Sequence, residues 1–155
     1  MNDDAGQLAG FLPYQLSVAS NAVSSLIAER YRKRFGLKIP EWRVMAVLGD
    51  AAHQHGLTQR ALTRATLMDK VAVNRAVRVL EERGLIARQP NPGDGRSQLL
   101  ELTAEGRAIH SEVMPLALAT ERELLSRFAP DEQAMLRAML ETLRARTQAM
   151  LDEQG

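Results

Sequence analysis

The segment from Asp69 to Gly84 constrains the fold of this chain most, because it contains a helix start, an amphipathic body and a helix stop. Asp69 is a residue type that accepts a backbone N–H at a helix N-cap, and Gly84 suits the position just beyond a helix end. Val73, Val77 and Leu80 recur at spacings of four and three, which places them on one face. The segment is therefore predicted to be a helix that buries one stripe.

The opposite face of this predicted helix is polar and basic. It carries Lys70, Asn74, Arg75 and Arg78, which are residue types that bind base edges and phosphates. A solvated surface is the alternative interpretation, and it is the commoner one for a single basic helix. The segments on either side of the helix must decide between the two.

A shorter helix is predicted directly before it. Thr58 suits its N-cap, Leu62 and Ala65 are expected to face inward, and the helix should end before Met68. Only a tight turn then separates it from Asp69. Two short helices joined in this way, the second bearing the basic face, form a helix-turn-helix pattern.

A β-hairpin is predicted after Gly84. Residues 85–89 and 98–102 read as extended runs, and the loop between them is rich in Pro, Gly, Asn and Asp. Arg96 lies in this loop, and Asp94 is placed to pair with it. A helix fits the major groove and an arginine-bearing loop suits the minor groove, so the two elements together favour DNA binding.

Long helices flank this region. Residues 12–35 show helical spacing, Pro40 begins a second helix that should bury Trp42, Met45, Val47 and Leu48, and Thr103 begins a long helix whose apolar positions extend to Phe128. Pro130 begins the last helix. The first and last helices carry more apolar surface than the predicted helix-turn-helix and hairpin could cover within one chain. This favours a dimer over an intramolecular helical bundle.

Composition agrees with a single helical domain of 155 residues. Aromatic residues make up 4% and hydrophobic residues 45%, dominated by types that favour helices. The absence of cysteine excludes disulfides, thiolate metal sites and thiol redox sensing. No apolar run is long enough to span a membrane, and the acidic start lacks the order of a signal peptide, so we expect a cytoplasmic protein without membrane association.

The net charge of +1 conceals a strong partition along the chain. Residues 1–57 carry a balance of +1, residues 58–98 a balance of +4, and residues 99–155 a balance of −4. The positive charge is thus concentrated in the segment with the predicted helix-turn-helix and hairpin. This is expected if only the middle of the chain approaches a polyanion.

Several short motifs resemble the MarR family of transcriptional regulators in order and spacing. They are Leu57-Thr58-Gln59, Asp69-Lys70 with Arg75, Leu80-Glu-Glu-Arg-Gly-Leu-Ile86, Asp94-Gly-Arg96-Ser97 and Leu102-Thr-Ala-Glu-Gly106. The resemblance implies a mainly α fold with a small β-hairpin wing, a winged helix-turn-helix over about 40–103, and dimerisation helices over about 10–35 and 104–155. It also implies a homodimer that binds a pseudopalindromic DNA operator, usually as a repressor released by a small ligand.

The resemblance assigns the first turns of the basic helix to the bases and the hairpin tip to the minor groove. This chain departs from the family at Val71-Ala72 and at Asn74, where hydroxyl residues are frequent, so its operator sequence cannot be borrowed from relatives. The predicted DNA-binding residues are Thr58, Gln59, Lys70, Val71, Ala72, Asn74, Arg75, Arg78, Asp94, Arg96 and Ser97.

A ligand site is expected from the same resemblance, for an aromatic or phenolic acid between the dimerisation helices and the DNA-binding lobe. Trp42, Arg43 and a polar stripe of Ser17, Asn21 and Ser24 are the candidates. The plainer interpretation is that Trp42 belongs to the core, that Arg43 lies on the surface and that the stripe is solvated.

Other functions have less support. The histidines at positions 53, 55 and 110 lack the partners of a metal site, so no metal and no cofactor are expected. No phosphate-binding loop, metal-hydrolase motif or nucleophile beside a base indicates an enzyme. A helical dimer that binds another protein and no DNA is the principal alternative.

Overall fold

The computed structural model describes residues 7–155, so the acidic start of the chain lies outside the described residues. The described chain is mainly α-helical with one antiparallel hairpin, which confirms the predicted fold class. Its helices and strands are a 3-10 turn at Leu8–Gly10, α1 (Leu12–Phe35), α2 (Ile39–Leu48), a 3-10 turn at Ala51–His53, α3 (Gln59–Thr66), α4 (Lys70–Glu82), β1 (Ile86–Pro90), β2 (Gln98–Leu102), α5 (Ala104–Leu125) and α6 (Pro130–Asp152).

The helix-turn-helix forms where the capping residues predict it. The Thr58 hydroxyl accepts the backbone N–H of Ala61 at 3.1 Å, and the Asp69 carboxylate accepts that of Ala72 at 2.8 Å. Both contacts satisfy an N–H group that has no partner within its helix. Leu67, with a φ of 55°, makes the left-handed turn between α3 and α4.

The core lies between α2, α3, α4 and β2. Val44 and Met45 of α2 are fully buried, as are the apolar stripe of α4 and Leu100 of β2. Within α3, Leu62 is buried as predicted but Ala65 is exposed, because the inward position one turn on is Thr66. The Thr66 hydroxyl donates to the Thr63 carbonyl at 3.1 Å, so this polar group is satisfied.

The remaining assignments in α2 need one correction. Trp42, Met45 and Leu48 are buried as predicted, whereas Val47 is only half-buried and Val44 takes its place in the core. The helix begins at Ile39, and the backbone N–H of Lys38 donates to the Glu41 carboxylate at 2.9 Å. The acidic side chain therefore caps the helix start that Lys38 cannot cap itself.

The hairpin pairs β1 and β2 in a register that sets Ile86 opposite Leu102 and Pro90 opposite Gln98. A further pair of backbone hydrogen bonds joins Leu57 to Leu100, with N···O distances of 3.1 and 2.7 Å. The residue just before the Thr58 cap is therefore held against the second strand of the wing.

The base of the hairpin is closed by short contacts. The Thr103 N–H donates to the Leu85 carbonyl at 3.0 Å, and the Thr103 hydroxyl donates to the Gly84 carbonyl at 2.6 Å. The same hydroxyl accepts the N–H of Gly106 at 3.1 Å and so caps α5. Gly84 has a φ of 69°, the left-handed conformation expected of a glycine after a helix.

The described chain divides into two compact units, one that extends to Ala117 and one that comprises Leu118–Gly155. In the second unit the turn before α6 is fixed by Gln133, whose side-chain amide donates to the carbonyls of Leu125 and Phe128 at 2.9 and 3.0 Å. Phe128 lies in this turn and is 46% exposed, rather than inside the preceding helix as the sequence pattern suggested.

Within residues 7–155, no helix combines the length and the apolar character needed to cross a bilayer.

Candidate nucleic-acid interface

The two faces of α4 divide as the sequence predicts. Val73, Ala76, Val77 and Leu80 are buried against the core. The predicted recognition residues lie on the other side, where Ala72 is half-buried and the remainder are exposed: Lys70, Val71, Asn74, Arg75 and Arg78.

The cations on this face are free of carboxylate partners. Lys70, Arg75 and Arg78 form no ion pair with any residue between 7 and 155, and the same holds for Arg96 at the wing tip. The pattern differs at Arg88, whose guanidinium is paired. Exposed cations without intramolecular partners are available to neutralise phosphates.

A groove of about 450 Å³ lies between α3 and α4 and extends the basic surface. It is lined by Gln59, Arg60, Thr63, Arg64, Lys70 and Asn74. Arg60 and Arg64 were not predicted from the sequence as part of the site. Their spacing of four on the side of α3 away from buried Leu62 is the signal that identifies them.

A hydrogen-bonded chain of four side chains connects the wing to the recognition helix. The Arg88 Nε donates to Glu81 at 2.6 Å, and the Arg88 Nη2 donates to the Gln59 Oε1 at 3.1 Å. The Gln59 Nε2 in turn donates to the Asn74 Oδ1. Gln59 and Asn74 were both predicted as DNA-binding residues, and the structure brings them into direct contact, whereas Arg88 was missed.

The wing tip is ordered by its own polar side chains. The Asn91 Oδ1 accepts the N–H of Gly93 at 3.1 Å, and the Asn91 amide donates to the Ser97 hydroxyl at 2.9 Å. The predicted contact between Asp94 and Arg96 needs correction, because the carboxylate accepts the backbone N–H of Arg96 at 3.0 Å and not its guanidinium. The Asp94 carboxylate thus fixes the backbone of Arg96. The Arg96 guanidinium, which has no ion-pair partner between residues 7 and 155, is available to contact a ligand.

Two large apolar side chains accompany these polar groups. Leu67 in the turn between the helices is 90% exposed, and Val71 on the first turn of α4 is 64% exposed. Neither contributes to the core. An exposed valine at this position is suited to a thymine methyl group, in line with the departure noted in the sequence.

The predicted ligand residues separate into two groups. Trp42 is buried between Tyr31 and His110, with ring centroids 5.7 Å from each, which favours the core interpretation. Burial raises the pKa of Tyr31, against the opposing effect of Arg32 and Arg43. Burial also lowers the pKa of His110, and the Arg107 charge lowers this pKa further.

The polar candidates for the ligand lie on α1 and α2. The half-buried Arg43 donates from Nη2 to the Ser24 hydroxyl at 3.2 Å, so these two predicted residues are in contact. Ser17 and Asn21 continue the same face of α1 and are exposed. For the part of the chain that the structure describes, no three His, Asp or Glu side chains cluster as metal ligands would.

Comparison with known proteins agrees with this geometry. The model of the MarR family matches residues 35–97. The transcriptional repressor Rv2887 of Mycobacterium tuberculosis is 30% identical over 135 residues, which cover 86% of this chain and 91% of the repressor.

Solved structures extend the similarity to the whole fold. The MarR family regulator SPO1453 of Silicibacter pomeroyi is 30% identical, with a TM-score of 0.77 over 92% of this chain and 98% of that one. A MarR/EmrR family regulator from Acinetobacter is 25% identical, with a TM-score of 0.82 over 93% and 99%. These relatives are transcriptional regulators, as the sequence predicted in preference to an enzyme. The chain therefore belongs to the MarR family of DNA-binding transcriptional regulators.

Proposed function

We propose that this chain acts as a homodimeric repressor that binds a pseudopalindromic operator. The observation that carries the proposal is a set of exposed cations on α3, α4 and the wing tip that form no ion pair with any residue between 7 and 155. Arg60, Arg64, Lys70, Arg75, Arg78 and Arg96 make up this set. The positive charge of this set can neutralise phosphates. Because its members lie on capped helices and on an ordered loop, they can contact two grooves of one duplex.

The roles of the two elements follow from their shapes. The exposed side of α4 would enter the major groove, where Arg75 and Asn74 reach base edges. The tip of the hairpin is narrower than a helix and would place the Arg96 guanidinium in the minor groove, where the negative potential attracts it. Thr58 and Ser97 support these elements, since the first caps α3 and the second closes the tip loop.

Dimerisation is supported by apolar surface within the second unit. No residue of α6 is buried. Leu136, Met139, Leu140 and Leu143 follow a helical stripe and are between 37% and 56% exposed. A second copy of the chain would cover this stripe, and two-fold symmetry would set the recognition helices about 34 Å apart, in successive major grooves. Repression is supported by the similarity of this chain to the mycobacterial relative, which is a transcriptional repressor.

The experiment that tests DNA binding starts from duplexes enriched by the wild-type protein from a randomised library. Arg75→Ala and Arg96→Ala should each weaken binding to the enriched duplex by about tenfold, which corresponds to one lost base or groove contact of about 1–3 kcal/mol. Arg144→Ala is the control, because Arg144 lies on α6 and is paired with Glu141. Unchanged affinity in both test variants would contradict the assignment.

Salt concentration separates this function from that of a protein-interaction module. Binding through phosphates releases counterions, so the affinity should fall steeply between 50 and 200 mM salt by about 10³-fold or more. A partner that docks on an apolar surface would show little such dependence. A flat salt response of the enriched ligand would favour the second function.

We also propose that a small aromatic or phenolic acid releases the DNA, and that Arg43 binds its carboxylate. Arg43 is half-buried, and its contact with Ser24 leaves further guanidinium N–H groups for a ligand. A thermal-shift screen with such acids should show stabilisation that Arg43→Gln removes. Stabilisation that survives this substitution would place the ligand elsewhere.

A further inference from the structure

The hydrogen-bonded chain that ends at Asn74 has a direction that its chemistry imposes. We refer to Glu81, Arg88, Gln59 and Asn74 together as the Asn74 relay. Its members come from α4, β1, α3 and again α4, so it crosses three elements of the DNA-binding lobe. Glu81 and Asn74 lie seven residues apart on α4, which places them on one side of that helix.

The direction follows from Arg88, because a guanidinium carries donors and no acceptor. Arg88 is fixed by Glu81, which accepts from both Nε and Nη2 at 2.6 and 3.3 Å. Gln59 must therefore turn its oxygen toward Arg88, and the distance from Arg88 Nη2 to Gln59 Oε1 is 3.1 Å. Only the amide nitrogen of Gln59 then remains to face Asn74.

The same reasoning fixes the Asn74 side chain. A donor on Gln59 requires an acceptor, so Asn74 presents its Oδ1 to Gln59. Its Nδ2 is left without a hydrogen-bond partner among the side chains that the structure describes, on an exposed residue of the recognition face. In a side chain whose two amide ends are otherwise interchangeable, the relay selects the end that faces outward.

We propose that Gln59 and Arg88 are positioning residues that make Asn74 a hydrogen-bond donor to the major groove. Asn74 then recognises a base edge that offers acceptors without a neighbouring donor, the N7 and O6 of guanine or the O4 of thymine. Adenine N7 also accepts a hydrogen bond, but its neighbouring N6 amino group requires the amide oxygen of asparagine, and here that oxygen is turned toward Gln59. The inference rests on the proposed DNA binding and adds the base class that one residue reads.

Gln59→Glu reverses the direction of the relay with almost no change in size. A carboxylate at this position accepts from Arg88 through one oxygen and offers its other oxygen to Asn74. Asn74 must then rotate its amide to donate, which turns Oδ1 outward. An outward acceptor pairs with the exocyclic amino groups of cytosine N4 or adenine N6.

The experiment measures base preference at each position of the enriched duplex for the wild type, Asn74→Ala, Gln59→Glu and Arg60→Gln. The position that loses its preference in Asn74→Ala identifies the base read by Asn74. We expect guanine or thymine there in the wild type and a change to cytosine or adenine in Gln59→Glu, with a discrimination of about fivefold or more in each case. Arg60→Gln makes the same change in charge one residue away, so it should lower affinity without altering this preference.

Three results would overturn the inference while leaving the proposed function intact. The first is an adenine preference at the Asn74-dependent position of the wild type. The second is a uniform loss of affinity in Asn74→Ala, which would indicate a phosphate contact. The third is an unchanged preference in Gln59→Glu. A wild-type protein that enriches no duplex would instead contradict the proposed function.

The relay is also measurable in the DNA-free protein by the side-chain amide signals of an NMR spectrum. The Gln59 amide protons should be protected from solvent exchange and should lose that protection in Arg88→Met. The Asn74 amide protons should exchange freely in the wild type. Protection of the Asn74 amide protons in place of those of Gln59 would show the opposite orientation and overturn the inference.

Discussion

An alanine at position 106 has no room for its methyl group. A Cβ built on Gly106 would lie 2.0 Å from the Leu85 carbonyl oxygen, which is backbone and already accepts the Thr103 N–H. Glycine to alanine in a helix ordinarily stabilises, but here the contact reverses the sign. We expect Gly106→Ala to lower the free energy of unfolding by about 2 kcal/mol in denaturant titrations.

Gly95 provides the matched control for this substitution. A Cβ at Gly95 meets no atom within 4 Å, and its φ is not positive. Gly95→Ala should therefore change stability by less than about 0.5 kcal/mol. Equal losses in the two variants would mean that the close approach at Gly106 has no special cost.

His110 makes stability depend on pH. Burial beside Trp42, followed by the Arg107 charge, lowers the pKa of His110 below its usual 6.5 in the folded protein. The unfolded chain therefore takes up the proton first, and the folded state loses stability as pH falls below about 6.5 toward the lowered pKa. The wild type should lose more unfolding free energy between pH 7.5 and 5.5 than His110→Gln. A parallel pH dependence in the two proteins would contradict this.

The sequence predicts single residues well where one local conformation decides their role. Gly84 and Asp69 are of this kind, since a left-handed helix end and an N-cap each require a particular residue type. The requirement for glycine at position 106 could not be predicted in this way, because a Cβ there would collide with a carbonyl group in another part of the chain. The orientation of Asn74 is likewise set by Arg88, which lies on a strand and carries no local sign of this contact.

At the scale of elements, α4 depends on the cap that begins it. The Asp69 carboxylate accepts the Ala72 N–H, and no other described side chain caps this end. Asp69→Ala should cost about 1 kcal/mol of unfolding free energy, whereas Asp69→Asn should retain most of it. Equal losses for alanine and asparagine would mean that the carboxylate charge, and not the hydrogen bond, stabilises the helix start.

The elements themselves could be predicted because each has its own start and stop signals. Periodicity and caps identified the helices and the hairpin, with errors in the side-chain assignments of Ala65 and Val47 and in the end of α5, which the pattern extended to Phe128. The pairing of Leu57 with Leu100 could not be predicted, since it joins residues far apart through backbone atoms alone. The groove cations Arg60 and Arg64 on α3 have only their spacing of four as a local signal, and their place in the site depends on the packing of α3 against α4.

At the scale of the whole molecule, self-association should depend on the apolar stripe of α6. Leu140 lies in this stripe and is 47% exposed. Leu140→Lys should shift the protein toward monomer in analytical ultracentrifugation and weaken binding to a two-half-site duplex. Gln148→Lys adds the same charge to the same helix at a polar, exposed position and should preserve the dimer. A wild-type protein that sediments as a monomer would contradict the proposed dimer.

The closed base of the hairpin determines which parts of the lobe can move independently. Gly84, Leu85, Thr103 and Gly106 are joined within a few ångströms at the point where α4 leaves the core and α5 begins. A hinge at this junction would have to break several backbone and hydroxyl contacts together. The recognition helix α4 and the wing should therefore move together as one rigid unit. In the dimer proposed above, we expect the proposed effector to change the distance between the two recognition helices, while the angle between helix and wing within each copy stays constant.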